Sequence, residues 1–297
     1  MCSAIKNSVI VCTKNRSNDL TKLICSLCRQ TLLPDELIVI DASEDDNTYK
    51  ILQGKKYKKF FNIIYEKTEA GLTKQRNTGV SRAKGQYLFF FDDDVILEDD
   101  FIDIVYRTFK QYEGNNVGGI MGRIVNIYKS PKNWDQLFKK IFFLSDIGKG
   151  RVKLSGLPSI KIDNNISFVE SLPGGCSAYR KKVFLDYKFD ENLKGYAYLE
   201  DVDFSFRVGK KYKLLYQPEA RLSHFPSTYL TGDKRVFKKQ LVQHQRYLFK
   251  KNMPKNIQYH IGLWASLIGA LLYNGIIQRD PRACLGIIEG LLNPLKC

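Results

Sequence analysis

Tyr87-Leu88-Phe89-Phe90-Phe91-Asp92-Asp93-Asp94 is the stretch whose reading decides the fold. An aromatic-rich apolar run, bounded by Gly85 on one side and three consecutive carboxylates on the other, reads as a buried strand that stops abruptly in water. The acids sit at its carboxyl end, where open α/β sheets bind ligands. Three adjacent like charges repel unless a cation neutralises them, and Mg²⁺ or Mn²⁺, which take oxygen ligands, suits that task. Taken alone, such a triplet could equally be a solvated loop, so its surroundings decide.

Upstream, Ser8 to Thr13 reads as a first strand, Lys14-Asn15-Arg16-Ser17 as the loop after it, and Asn18 to Arg29 as a helix with Leu20, Leu23, Ile24 and Leu27 on one face. Leu37 to Ile40, ending in Asp41, and Phe61 to Tyr65 read as further strands buried on both faces. Gly71 to Val80 suits a helix before the fourth strand. Strands alternating with helices from residue 8 to residue 91 are the signature of a parallel, doubly wound sheet. Thr13 to Arg16, Asp41 and the triplet each follow a different strand, so they can converge on one crevice. No G-x-G-x-x-G follows the first strand and no G-x-x-x-x-G-K-[ST] occurs, which removes the main support for Rossmann and P-loop readings.

Downstream, Phe101 to Phe109 reads as a helix, Val117 to Ile127 as a strand and the stretch from Gly148 to Gly156 as a mobile loop able to cover a site. Pro173-Gly174-Gly175 marks a turn or a close backbone approach. Glu200-Asp201-Val202-Asp203 opens a helix, where acids are favoured by the helix dipole alone. Lys213 to Tyr216 is a strand, and Leu222-Ser223-His224-Phe225 ends the segment.

The chain has 297 residues, 44% hydrophobic and 26% charged, which excludes a disordered chain and allows one large α/β domain or two small ones. A formal charge of +16 favours anionic partners. Seven scattered cysteines give no disulfide framework, and Cys25 and Cys28 lie in a helix pattern without a second pair to complete a zinc site. Val9 to Cys12 is too short an apolar run for a signal-peptide core. A cytosolic location is expected.

The acid triplet, the Gly-Gly segment followed by Arg180, the Glu200-Asp201 pair and the late His224, in this order, resemble family 2 glycosyltransferases of the GT-A fold. Thr13 to Arg16, Asp41 and the Gly71 to Gly79 segment fit the same family, and the resemblance covers residues 7 to 226. It implies an α/β fold of GT-A type: a nucleotide-binding, doubly wound mixed sheet flanked by helices, with a C-terminal helical extension. It also implies a metal-dependent, hexosyltransferase-like enzyme that moves one sugar from a nucleotide-sugar donor to a glycan or lipid-linked acceptor, with inversion, in cell-surface glycan synthesis. Asp92, Asp94 and His224 would hold Mg²⁺ or Mn²⁺ against the donor diphosphate, and Asp93 would lie nearer the ribose or sugar. Thr13, Arg16, Asp41, Lys74 and Arg76 would line the nucleotide-sugar site. Asp201 would be the general base and Glu200 would position the acceptor, with Asp203 an alternative base.

The expected catalytic domain is 1–225, with a donor-binding half 1–115 and an acceptor-binding half 116–225. Residues 226–297 change character, holding eleven Lys plus Arg against three Asp plus Glu, and Ile261 to Ile277 carry no charge. Basic residues beside an apolar helix suit an anionic membrane surface, so this region is expected to associate with the inner face of the cell membrane as an interfacial helix, with a buried or spanning helix as alternatives. An oligomer stays open. Two rivals remain. A sugar nucleotidyltransferase would carry a glycine-rich loop after the first strand, where this chain has Thr13-Lys14-Asn15-Arg16-Ser17. A basic nucleic-acid-binding protein gives no reason for the ordered acids and histidine, so no nucleic acid is expected as partner.

Overall fold

The structure is a computed structural model that describes residues 6–126, 133–226 and 233–295. The chain runs through β1 (Asn7–Thr13), α1 (Ser17–Leu27), β2 (Glu36–Asp41), α2 (Asn47–Gln53), α3 (Lys55–Lys58), β3 (Asn62–Lys67), α4 (Leu72–Arg82) and β4 (Tyr87–Asp92). Next come β5 (Val95–Leu97), α5 (Phe101–Gln111), β6 (Val117–Ile124), α6 (Asn133–Ile141), β7 (Asp146–Ile147), β8 (Ser159–Ile160) and β9 (Ser167–Val169). The remainder forms β10 (Cys176–Arg180), α7 (Glu200–Gly209), β11 (Lys213–His224), α8 (Lys234–Asn252), α9 (Ile257–Leu272) and α10 (Pro281–Leu292). Ile127, the last residue of the expected strand from Val117, lies outside the described residues. Two compact units result, one of residues 1–128 and 163–225, the other of 129–162 and 226–297.

The first unit is built on a nine-stranded sheet in the order β3-β2-β1-β4-β10-β6-β11-β5, with β9 also paired to β11. β3, β2, β1 and β4 run parallel, and β10 reverses the direction beside β4. The sheet is therefore mixed, and its parallel half is the doubly wound part. Alternation splits each inner strand between two cores. Val9, Val11, Phe89 and Phe91 pack with the apolar faces of α1 and α5, whereas Ile10, Leu88 and Phe90 pack with Phe189 and Phe204. Both faces are covered, which is why these strands read as unbroken apolar runs. β3 departs from that expectation. It has β2 as its sole neighbour in the sheet order, and its residues are half-buried or exposed.

In the second unit, α8, α9 and α10 share a small core of Val242, Phe249, Leu263, Leu267 and Ile287. α10 lies close on α8 because Gly286 and Gly290 face the main-chain oxygens of Arg235 and Lys239, where a Cβ would collide. The stretch from Gly148 to Gly156, expected as a mobile cover, is tied into this unit. Val152 bridges Pro158, the Lys153 N–H donates to the Leu157 carbonyl at 2.9 Å, and Gly262 packs against Leu154.

α4 is not strongly amphipathic, and it reaches the sheet through Gly79, where a Cβ would run into the buried Ile10 side chain. Gly79→Val is expected to destabilise the protein by about 1–3 kcal/mol, the usual cost of overpacking a filled core, as read by urea unfolding. Unchanged stability would show that α4 can lift from β1 without loss.

Candidate active site

The parallel strands end level. Thr13 pairs with Asp41 and Cys12 with Asp92, so the last residues of β1, β2 and β4 share one edge of the sheet. Beyond β4, Asp93 and Asp94 form a tight turn into β5. β5 pairs antiparallel with β11 and sets Val95 opposite His224. That register brings a residue distant in sequence to the triplet, with His224 Nε2 lying 3.0 Å from Asp94 Oδ1. Asn126 fixes the histidine's main chain, accepting from its N–H and donating to its carbonyl, each at 2.8 Å.

Two arginines answer the acids. Arg16, from the loop after β1, reaches Asp93 Oδ1 at 2.8 Å and Asp94 Oδ2 at 2.9 Å. Thr13 Oγ1 donates to the other oxygen of Asp93 at 2.7 Å, so that buried carboxylate is fully engaged. Burial pushes the Asp93 carboxyl up to about 7, with Arg16 pulling the other way. For Asp94 and His224 burial is overcome: their mutual contact, aided at Asp94 by Arg16, holds the carboxyl below and the imidazole above their ordinary values.

Arg76, on α4, is only 4% exposed. Its Nη1 pairs with Glu200 Oε1 at 2.6 Å and its Nη2 lies 3.4 Å from Asp92 Oδ1. The guanidinium also rests over the Phe189 ring, 5.4 Å from its centre. Gln75, its neighbour, ties α4 to the edge of the sheet by donating to the carbonyls of Thr13 at 3.2 Å and Ile40 at 2.9 Å.

Gly174 and Gly175 form a turn laid directly on these charges. A Cβ on Gly174 would collide with the Arg76 guanidinium, and one on Gly175 with the Asp92 carboxylate. Neither residue needs a left-handed conformation, so lack of space is what demands glycine. The Gly174 N–H donates to Asp201 Oδ2 at 2.9 Å, which links the triplet to the start of α7. The approach to α7 is strained. Ala197 and Leu199 adopt φ of 49° and 65°, conformations that cost roughly 1–3 kcal/mol each and cluster at functional sites. Within α7, Asp203 is buried and takes both Nε and Nη2 of Arg207 at 3.0 and 2.7 Å, while Asp201 stays partly exposed.

The structure thus brings together Thr13, Arg16, Arg76, Asp92, Asp93, Asp94, Glu200, Asp201 and His224. Asp41 lies on the same edge, one strand away from Thr13, and Lys74 on the exposed side of α4. Asp41 is fully buried and gives its oxygens to Ser43 and Tyr65, and Ser43 in turn accepts from the Asn15 N–H at 2.8 Å. Lys74 pairs with Glu69 at 3.0 Å on the exposed side of α4. Sequence reading missed Gln75 and Asn126, which carry no charge and each make two hydrogen bonds to main chain distant in sequence, and Tyr196, whose phenol is pushed up to about 12 by burial and then by the charges of Asp92 and Asp94.

Asp92, Asp94 and His224 offer ligand atoms within 4.8 Å of one another. Two carboxylates and an imidazole suit a small divalent ion, so the residues fit one. The crevice as a whole combines such a cluster with a fixed, partly exposed carboxylate nearby, a pairing suited to displacing an anionic leaving group with an activated hydroxyl.

The family model described as Glycosyl transferase family 2 matches residues 8–187. An uncharacterized glycosyltransferase, YwdF, from Bacillus subtilis is 34% identical over 71% of this chain and 70% of its own length. TarP of Staphylococcus aureus, a poly(ribitol-phosphate) beta-N-acetylglucosaminyltransferase, is 30% identical over 56% of this chain and 47% of its own. The chain spans between 16% and 47% of the length of three curated relatives, TarP among them. The mannosyltransferase PcManGT from Pyrobaculum calidifontis, solved with GDP-Man and Mn²⁺, superposes with a TM-score of 0.59 at 16% identity, covering 97% of this chain and 80% of that one. The fold is that of the GT-A glycosyltransferases.

Burial pushes the Glu200 carboxyl from 4.5 up to about 8, although Arg76 favours its ionised form. A folded-state value above the unfolded one means that stability is full at low pH and falls as pH rises from about 4.5 through about 8. Removing one member of a buried pair costs about 3–5 kcal/mol. Between about 4.5 and 8 Glu200 is protonated in both folded proteins, so the Arg76→Met deficit should stay level there and widen above about pH 8, where only the parent's Glu200 ionises, as read by urea unfolding from below 4.5 to above 8. A deficit that does not change with pH would show that the pair is not ionic.

Proposed function

Because this chain belongs to glycosyl transferase family 2, we propose that it moves a single sugar from a nucleotide-diphosphate sugar to an acceptor hydroxyl, with inversion, in cell-surface glycan synthesis. The observation that carries this reading is the Gly174-Gly175 turn, which joins the cluster of Asp92, Asp94 and His224 to the carboxylate of Asp201. TarP's poly(ribitol-phosphate) substrate supports a glycan acceptor, and the basic tail supports one presented at the inner membrane surface.

Asp92, Asp94 and His224 are the residues that would hold Mg²⁺ or Mn²⁺. When bound, the ion neutralises charge on the departing nucleotide diphosphate. Arg16 and Thr13 hold Asp93 and Asp94 at the floor of the donor site. Arg76 contacts both Asp92 and Glu200 and holds the two carboxyl groups in place. Asp201 is the base that takes the acceptor proton, its carboxylate fixed by the Gly174 N–H. Asp203 is withdrawn from that role by Arg207. The proton leaves as the new bond forms, so position matters more than basicity, and no covalent enzyme intermediate is required.

Binding and turnover of a panel of nucleotide sugars, with and without Mn²⁺, test these roles. Asp94→Ala is expected to abolish metal-dependent donor binding. Asp201→Asn should keep binding and lose about 10²–10⁴-fold in turnover. Product of opposite anomeric configuration, read by NMR, completes the expectation; retained configuration, or full activity of Asp201→Asn, refutes it.

A further inference from the structure

The second unit contains a cavity of about 540 Å³ between the end of α8, the start of α9 and residues 294–295. Arg246, Lys250, Lys255 and His260 supply its polar wall, and Phe249 and Leu263 part of its apolar one. Among the described residues no carboxylate lines it. The three acids of residues 226–297 are engaged elsewhere: Asp233 caps α8, Asp280 pairs with Lys234 at 2.8 Å, and Glu289 pairs with Arg235 and Lys239. Among the described residues no carboxylate of this region pairs with Lys250 or Lys255, both of which are exposed to solvent. Arg246 is anchored at the wall, its Nη1 donating to the carbonyls of Gly290 and Leu291 at the end of α10.

Exposed cations beside an apolar wall suit a ligand that is anionic at one end and hydrocarbon at the other. The same helix supplies a matching outer surface. Ile257, Ile261, Trp264, Ile268, Leu272 and Ile276 recur at helical spacing, and each is 37% exposed or more, while Leu263 and Leu267 on the opposite side are buried in the unit's core. Lys255 precedes this stripe and Arg279 and Arg282 follow it. An uncharged apolar face bracketed by cations is the pattern of a helix lying in the surface of an anionic bilayer.

We infer that the cavity between α8 and α9 binds the phosphate of a phosphorylated lipid while the outer stripe of α9 lies in the bilayer surface. Two sources share that chemistry, the headgroup of a bilayer phospholipid and the phosphate of a polyprenyl carrier. The inference stands on the second unit alone and needs no transfer reaction.

The test is sedimentation of the full chain, without donor, on vesicles of phosphatidylcholine alone, with added phosphatidylglycerol, or with added long-chain polyprenyl phosphate. Binding should be at least about tenfold tighter on a phosphate-rich vesicle and should fall by at least about tenfold in Lys250→Glu/Lys255→Glu. Trp264→Ser/Ile268→Ser should also release the protein, and in the parent chain Trp264 should be quenched by brominated acyl chains. Preference for phosphatidylglycerol names the bilayer headgroup as the source, and preference for polyprenyl phosphate names the carrier; either supports the site. Lys110→Glu/Lys182→Glu, in the first unit, is the control, and circular dichroism checks that each variant folds. The proposal falls if the control weakens binding equally, if neutral vesicles bind as well, if no vesicle binds, or if the α9 variant only abolishes self-association. A catalytically dead protein that still binds leaves the proposal intact, and a protein that fails to bind leaves the transfer reaction intact.

Discussion

A buried guanidinium holds the crevice of the first unit together. Carboxyl groups enclosed in protein lose their water and repel one another when ionised, so their burial is offset by proton uptake, as at Glu200, and by a charge partner. Arg76 stands between Asp92, at the end of a central strand, and Glu200, at the start of a helix more than a hundred residues later. Charge balance here is also a clamp between distant parts of the chain. Its delivery rests on plain features: a glycine that lets α4 lie on β1, and a glutamine that ties the helix to the carbonyls at the edge of the sheet. Arg16 does the same on the other side of the triplet, which leaves the edge shared by Asp92, Asp94 and His224 as the place for a further cation.

Much of this was legible in the sequence because it is local. Doubly covered strands announce themselves as apolar runs, and Asp92-Asp93-Asp94 and Glu200-Asp201 are compact motifs whose chemistry needs neighbours in sequence. What stayed hidden depends on long-range pairing or on side-chain direction. Val95 to Leu97 is too short to show a period, yet as β5 it carries the register that brings His224 to Asp94. The run before Lys67 reads like an inner strand, and only the order of the sheet makes it an edge. Nothing local to residues 129–162 signals that they cluster with 226–297.

The second unit follows the same physics with the opposite sign. The first gathers acids and neutralises them with arginines, whereas the second gathers cations and places its few acids away from the cavity.

The bare main chain of Gly174 and Gly175 limits how this protein can change over generations. Each lies against a charged group with no room for even a methyl, so single mutations cannot reshape that wall without displacing Arg76 or Asp92. New substrate preferences in descendants of this chain must then arise elsewhere around the crevice. The segment from Tyr196 to Leu199, strained but carrying an exposed aromatic ring, is where such drift has room to accumulate.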